Sequence, residues 1–181
     1  STAARQRPQA ICSRQDLQDG VLSLLHREAF GGAFGDSDEQ RSSLNTHFKL
    51  TISLGLLKID QVRFVSVDKQ SALVTCGGTV RVADPYLDGA GKRVIEWDSY
   101  EVEFTRQPAA SGEGFLVSVS PSEPAAESIR RWMYNGEVAK MFKAARAGGG
   151  TPAEPQSPTS PPEAPATAPV SATAEEDVDY S

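Results

Sequence analysis

Apolar residues recur at helical spacing at Leu17, Val21, Leu24, Leu25 and Phe30, with Leu22 beside them. Ser13 followed by Asp16 resembles a capping box, which starts this helix at Arg14. It stops near Gly31 and Gly32, and Gly20 weakens its middle by about 1 kcal/mol relative to Ala. A short second helix follows, with Ser37 and Gln40 as a second capping box and Leu44 and Phe48 as its apolar side. The pattern then turns to strands. Residues 50–56, 59–67, 71–82, 93–105 and 114–120 read as five of them. DPYLDGAGK (84–92) and QPAASGEG (107–114) are the hairpin loops between the last three. The last element spans about 125–147, with Ile129, Trp132, Met133, Met141 and Phe142 on its apolar side and an interruption at Asn135 and Gly136.

Helices segregated from a run of strands with short turns predict an α+β domain. Its architecture is an N-terminal helix packed on a curved antiparallel sheet of about five strands, followed by a C-terminal helix. Within SALVTCGGTVRV (71–82), alternation puts Val74, Cys76, Gly78, Val80 and Val82 on one face. Cys76 therefore points into the core. Gly77 and Gly78 predict a bend or a close approach there.

Composition divides the chain into three. Hydrophobic content of 39% and charged content of 23% fit a globular core, assigned to residues 12–147. Residues 1–11 read as a disordered lead. Residues 148–181 are rich in Pro, Ala, Ser, Thr and Glu and read as a disordered tail, either a spacer or a polyproline II ligand. The net charge is -6, and the six acids after Arg146 account for all of it. The neutral body has no electrostatic footprint for nucleic acid or an anionic membrane. No apolar run reaches the roughly 18 residues of a membrane span. No signal peptide is visible from Ser1 onward, and a start without Met leaves export open.

Cys12 and the segment KIDQVRFVSVDKQSALVTC (58–76) carry a resemblance. They resemble small exported bacterial domains of the NTF2-like or cystatin-like superfold. These place one cysteine before the first helix and another in a central strand, after a segment of the type xIxxVRxxxxDKxxxxxxC. The resemblance covers roughly residues 12–120 and leaves out the last helix and the tail. It implies a Cys12–Cys76 disulfide and an oxidising compartment, a periplasm or the cell exterior. The residues alone leave two readings open, a bridge or two unpaired thiols with Cys76 as a small core hydrophobe.

Chemistry is sparse. No CxxC, no GxSxG context and no metal-ligand spacing occur, and GAGK (89–92) lacks the rest of a phosphate loop, so no cofactor or metal is expected. His26 reads as a surface residue beside the apolar stripe. In RVIEWDSYEVEF (93–104), a regular strand turns Glu96, Asp98 and Tyr100 inward to line a cavity, where buried carboxylates are candidate acids or bases. A bulge near Asp98 and Ser99 would instead bury Ile95 and Trp97, and it places more apolar area in the core. Trp132, Met133, Tyr134, Met141 and Phe142 are candidates for a partner-binding face, against the alternative that the last helix covers the sheet. The function these features favour is an exported, periplasmic, non-enzymatic interaction module or accessory subunit of an envelope or secretion assembly. It has a protein partner and is compatible with a homodimer. A small-molecule carrier, or an NTF2-like enzyme using a cavity lined by Glu96 and Asp98, is the alternative.

Overall fold

The computed structural model describes residues 7–148. The expected tail lies outside the described residues, apart from Gly148, as do residues 1–6 of the expected lead. Helices α1 (Pro8–Cys12), α2 (Gln15–Phe34) and α3 (Asp38–Ser53) precede strands β1 (Leu57–Asp68), β2 (Leu73–Leu87), β3 (Arg93–Pro108) and β4 (Phe115–Ser120). Helix α4 (Glu123–Arg130), a 3-10 turn (Arg131–Tyr134) and α5 (Gly136–Ala147) follow. The strands form one antiparallel sheet in the order β1-β2-β3-β4. The α+β class stands, with four strands rather than five.

The missing strand is the C-terminal part of α3 and the turn after it. Ser37 accepts from the Gln40 amide and the Gln40 side chain accepts from the Ser37 amide, so the expected capping box forms. The helix it starts runs on through the β-prone residues Thr51 and Ile52. Thr51 Oγ1 donates to His47 O at 2.9 Å, which satisfies the hydroxyl within the helix. Gly55, at φ 71°, ends the segment. Local β propensity yields here to a helix already nucleated and packed on α2.

The other expected cap does not form. The residue before α2 is Arg14, which makes no capping bond and pairs with Asp16 at 2.9 Å. That hydrogen bond, with the positive charge of Arg14, holds the Asp16 carboxyl below its ordinary range. Helix α2 runs past Gly31 and Gly32 to stop at Gly35, whose φ is 86°. The ordered domain also starts before residue 12. Pro8 opens α1, where its missing N–H costs nothing, and Ile11 is buried.

The helices cover one face of the sheet. Ile11, Cys12, Leu17, Val21 and Leu25 join Val74, Cys76, Val80, Val82, Val102 and Phe104 in the core. Cys12 and Cys76 are bonded, with Cα atoms 5.7 Å apart and a sequence separation of 64. The bridge ties α1 to β2, an interior strand of the sheet. Reasoning from loop closure assigns such a link about 4 kcal/mol.

Gly77 and Gly78 serve close approach. A Cβ on Gly78 would lie 3.2 Å from Ile59 and 3.4 Å from Phe104 inside the fold, and one on Gly77 would lie 2.8 Å from the Arg63 guanidinium on the other face. The pairing of β2 with β3 runs without a shift from Val74 opposite Arg106 to Leu87 opposite Arg93. The irregularities fall in β1, between Asp60 and Arg63 and between Phe64 and Ser66.

β1 begins opposite Val82, so beyond that point β2 is an edge. Trp132 Nε1 donates to Ala83 O at 2.8 Å, and Asn135 Nδ2 donates to Pro85 O at 3.0 Å. Proline at position 85 has no N–H to leave unpaired on that edge. The 3-10 turn is thereby fastened to the β2–β3 hairpin. The uncovered sheet face is polar: Thr79 donates to Glu101 at 2.6 Å, and Arg81 pairs with Asp60 at 2.9 Å.

Candidate functional site

The expected carboxylate cavity is not a closed chamber. β3 carries no bulge at Asp98 and Ser99, so the register that would bury Ile95 and Trp97 is absent. Ile95 is exposed, and Trp97 lies on the uncovered face with Lys58 Nζ 4.4 Å from its ring centre. Continuous pairing with β2 keeps the even positions of β3 on one side of the sheet, where Asp98 and Tyr100 are partly covered, Val102 and Phe104 are buried and Glu96 lies beyond the cover. Asp98 is half-buried and accepts from Ser128 Oγ at 3.0 Å, while Tyr100 packs against the core. Glu96 is exposed, 3.4 Å from the Tyr86 hydroxyl. The recess at Asp98, shared with Asp84, Arg131 and Asn135, has a volume of about 50 Å³. That is room for about one or two waters rather than for an organic ligand.

The five partner-binding candidates separate. Trp132 and Phe142 are each 5% exposed and belong to the core, and Met141 packs against it. Met133 is 51% exposed and Tyr134 87%. The 3-10 turn explains the split: three residues per turn send Trp132 inward and its next two neighbours outward. Beside them, at the hairpin end of β2 and β3, stand the exposed Tyr86, Leu87 and Ile95. The two segments are clamped together. Asn135 reaches Asp84 and Pro85, and it also caps α5 through the Glu137 and Val138 amides. Arg93 Nε pairs with Glu137 at 3.0 Å. Hydrogen bonds from Lys140 and Arg93 hold the Glu137 carboxyl below its ordinary range.

A second constellation was not expected. His26 is buried rather than on the surface, and its Nε2 lies 2.8 Å from His47 Nδ1. These are the chain's two histidines. Phe30 and Phe48 meet the His26 ring edge-on at 5.0 and 5.4 Å, and Phe142 of α5 stacks on His47 at 4.6 Å. Burial, and then the neighbouring His47, push the His26 pKa down to about 3. Burial and then Arg146 lower His47. Both rings are therefore neutral at pH 7, with one proton in their shared bond. A signal for this existed: Leu22, His26 and Phe30 follow at intervals of four, and Leu44, His47 and Thr51 at three and four.

A cleft of about 460 Å³ lies beside His26 between α2 and α3. Among the described residues, no group of three or more His, Cys, Asp or Glu side chains is placed to hold a metal ion. No described helix is long and apolar enough to cross a membrane. Compared with protein-family models, curated proteins and solved structures, the chain matches none.

Proposed function

We propose that this chain is an exported, disulfide-stapled interaction domain, an accessory subunit of an envelope or secretion assembly that docks on a protein partner. One observation carries the reading. Among the described residues seven large hydrophobics are exposed, and five of them (Tyr86, Leu87, Ile95, Met133 and Tyr134) lie on the β2–β3 hairpin end or on the turn fastened to it. Exposed apolar clusters rimmed by polar groups mark interaction surfaces, and aromatic residues dominate their energetics. Tyr134 is the most exposed of them, and its neighbours Trp132 and Asn135, with Glu137 of α5, anchor the segment to the hairpin through three hydrogen bonds and an ion pair. A rigid, solvent-facing aromatic fits a partner with an apolar pocket. The Cys12–Cys76 bond supports an oxidising compartment, since such bonds are rare where glutathione keeps thiols reduced. A long helix on an antiparallel sheet, with cysteines before that helix and in a central strand, supports kinship with exported NTF2-like or cystatin-like domains. A carrier or an enzyme built on Glu96 and Asp98 has less support, because the recess there is so small.

The test is site-specific photocrosslinking in the source cells, with the photoreactive residue at position 134 and, as a control, at position 101 on the polar sheet face. The expected result is a discrete heteromeric adduct from position 134 and none from position 101. Equal labelling from both sites, no adduct at all, or only an adduct of twice the monomer mass would sink the proposal.

A further inference from the structure

The cleft between α2 and α3 has the makings of a ligand site separate from the docking end. Ser23, His26 and Arg27 of α2 face Arg41, Leu44, Asn45 and Phe48 of α3 across it, and Asp36 closes one end. Its polar side chains are uncommitted. Ser23, Arg27, Asp36 and Asn45 make no side-chain hydrogen bond or ion pair among the described residues, and Arg41 has only a 3.8 Å contact to Asp38. Arg14 with Asp16 and Arg93 with Glu137 show the closer pairing, at 2.9 and 3.0 Å, that Arg27 and Arg41 lack. Arg27 has no ion-pair partner among the described residues and Arg41 has only that long contact, so the cleft offers guanidinium N–H donors that the fold leaves largely unused. Leu44 and Phe48 supply an apolar wall. His26, itself 1% exposed, spends Nε2 on His47 and keeps Nδ1 without a hydrogen bond among the described residues.

The histidine pair makes that Nδ1 adaptable. When His47 Nδ1 donates the shared proton, His26 Nδ1 carries its own proton and is a donor. When His26 Nε2 donates, Nδ1 is an acceptor. A volume of about 460 Å³ lies within the range of roughly 300–1,000 Å³ usual for small-molecule sites. Guanidinium groups recognise carboxylates through paired N–H donors, and the wall opposite suits a planar or branched apolar body.

We propose that the α2–α3 cleft binds a small organic carboxylate, with the carboxylate on Arg27 and Arg41, the apolar body on Leu44 and Phe48, and His26 reading a polar substituent. The test is an NMR titration of the full chain, labelled with 15N, using benzoate as probe and benzamide as its neutral counterpart. Backbone amides of residues 23–48 and the His26 ring nitrogens are followed. Benzoate is expected to saturate at millimolar concentration or below and to shift those signals. Benzamide is expected to bind roughly tenfold more weakly, the loss for a charge-assisted hydrogen bond. The double variant Arg27→Gln with Arg41→Gln is expected to lose benzoate affinity by about the same factor. Both arginines are exposed, and the dispersion of the remaining amide signals checks that the variant is folded. Equal shifts from benzoate and benzamide, no shifts at all, or the same shifts from sodium chloride would overturn the proposal.

Discussion

At one end of the helical layer, α1 is tied to the middle of the sheet by the Cys12–Cys76 bond among aliphatic side chains. At the other, α3 and α5 are held on α2 by rings packed around two hydrogen-bonded histidines. Both regions are buried, yet they respond to different conditions. The first depends on the redox state of two sulfurs and is indifferent to pH. The second requires imidazoles that stay neutral. A domain can thus be covalently stapled across one layer contact and remain open to acid at another.

Removing the staple is the largest expected perturbation. Reduction, or Cys12→Ala with Cys76→Ala, is expected to lower the stability to urea unfolding by about 4 kcal/mol, the loop-closure value for this separation. A loss below about 1 kcal/mol would show that α1 is held by packing of Ile11 and its neighbours alone. The acid response described next is expected to persist in the bridge-free protein, since the histidines lie in the other region.

Acid is the second test. The folded-state pKa of His26, about 3, lies below the ordinary value of 6.5, so below pH 6.5 the unfolded chain binds the extra proton. Stability from this group is complete above pH 6.5 and is lost as pH falls toward 3. The slope is at most roughly 1.4 kcal/mol per pH unit, which gives about 2 kcal/mol by pH 5. Urea unfolding at stepped pH measures it, and His26→Phe is expected to flatten the slope. An unchanged slope in that variant would assign the acid response to other groups. The smallest effect is expected at the start of α3, the helix that carries His47. Ser37→Ala removes the capping bond to Gln40 and is expected to cost about 1 kcal/mol, read by the same unfolding curves. No change would mean that packing on α2 alone sets where α3 begins.

The local parts of the fold were legible in the sequence. The α2 stripe, the Ser37–Gln40 box and the inward face of Val74, Cys76, Val80 and Val82 stand in the structure as the spacing implies. Residues 50–56 misled because Thr51, Ile52 and the leucines suit a strand or a buried helix alike, and the choice fell to a helix nucleated thirteen residues before Thr51. The orientation of Glu96 and Asp98 depended on whether β3 carried a bulge. Pairing with β2 decided that, and apolar content alone pointed the wrong way. The docking candidates were visible as a cluster of large side chains. Only the 3-10 turn separated the buried Trp132 from the exposed Met133 and Tyr134.

By itself, then, the sequence determined the α+β class, the faces of its amphipathic elements, the neutrality of the body and the inward face of Cys76, because these follow from spacing within one element or from composition. Tertiary structure decided what depends on residues distant in the chain. It bonded Cys12 to Cys76, joined His26 to His47 across two helices, closed the β2 edge with Trp132 and Asn135, and so fastened the turn that carries Tyr134 to the hairpin that carries Tyr86, Leu87 and Ile95. The physical reason is that side-chain periodicity shows which way a residue points from its own backbone, whereas a site forms where two such faces meet.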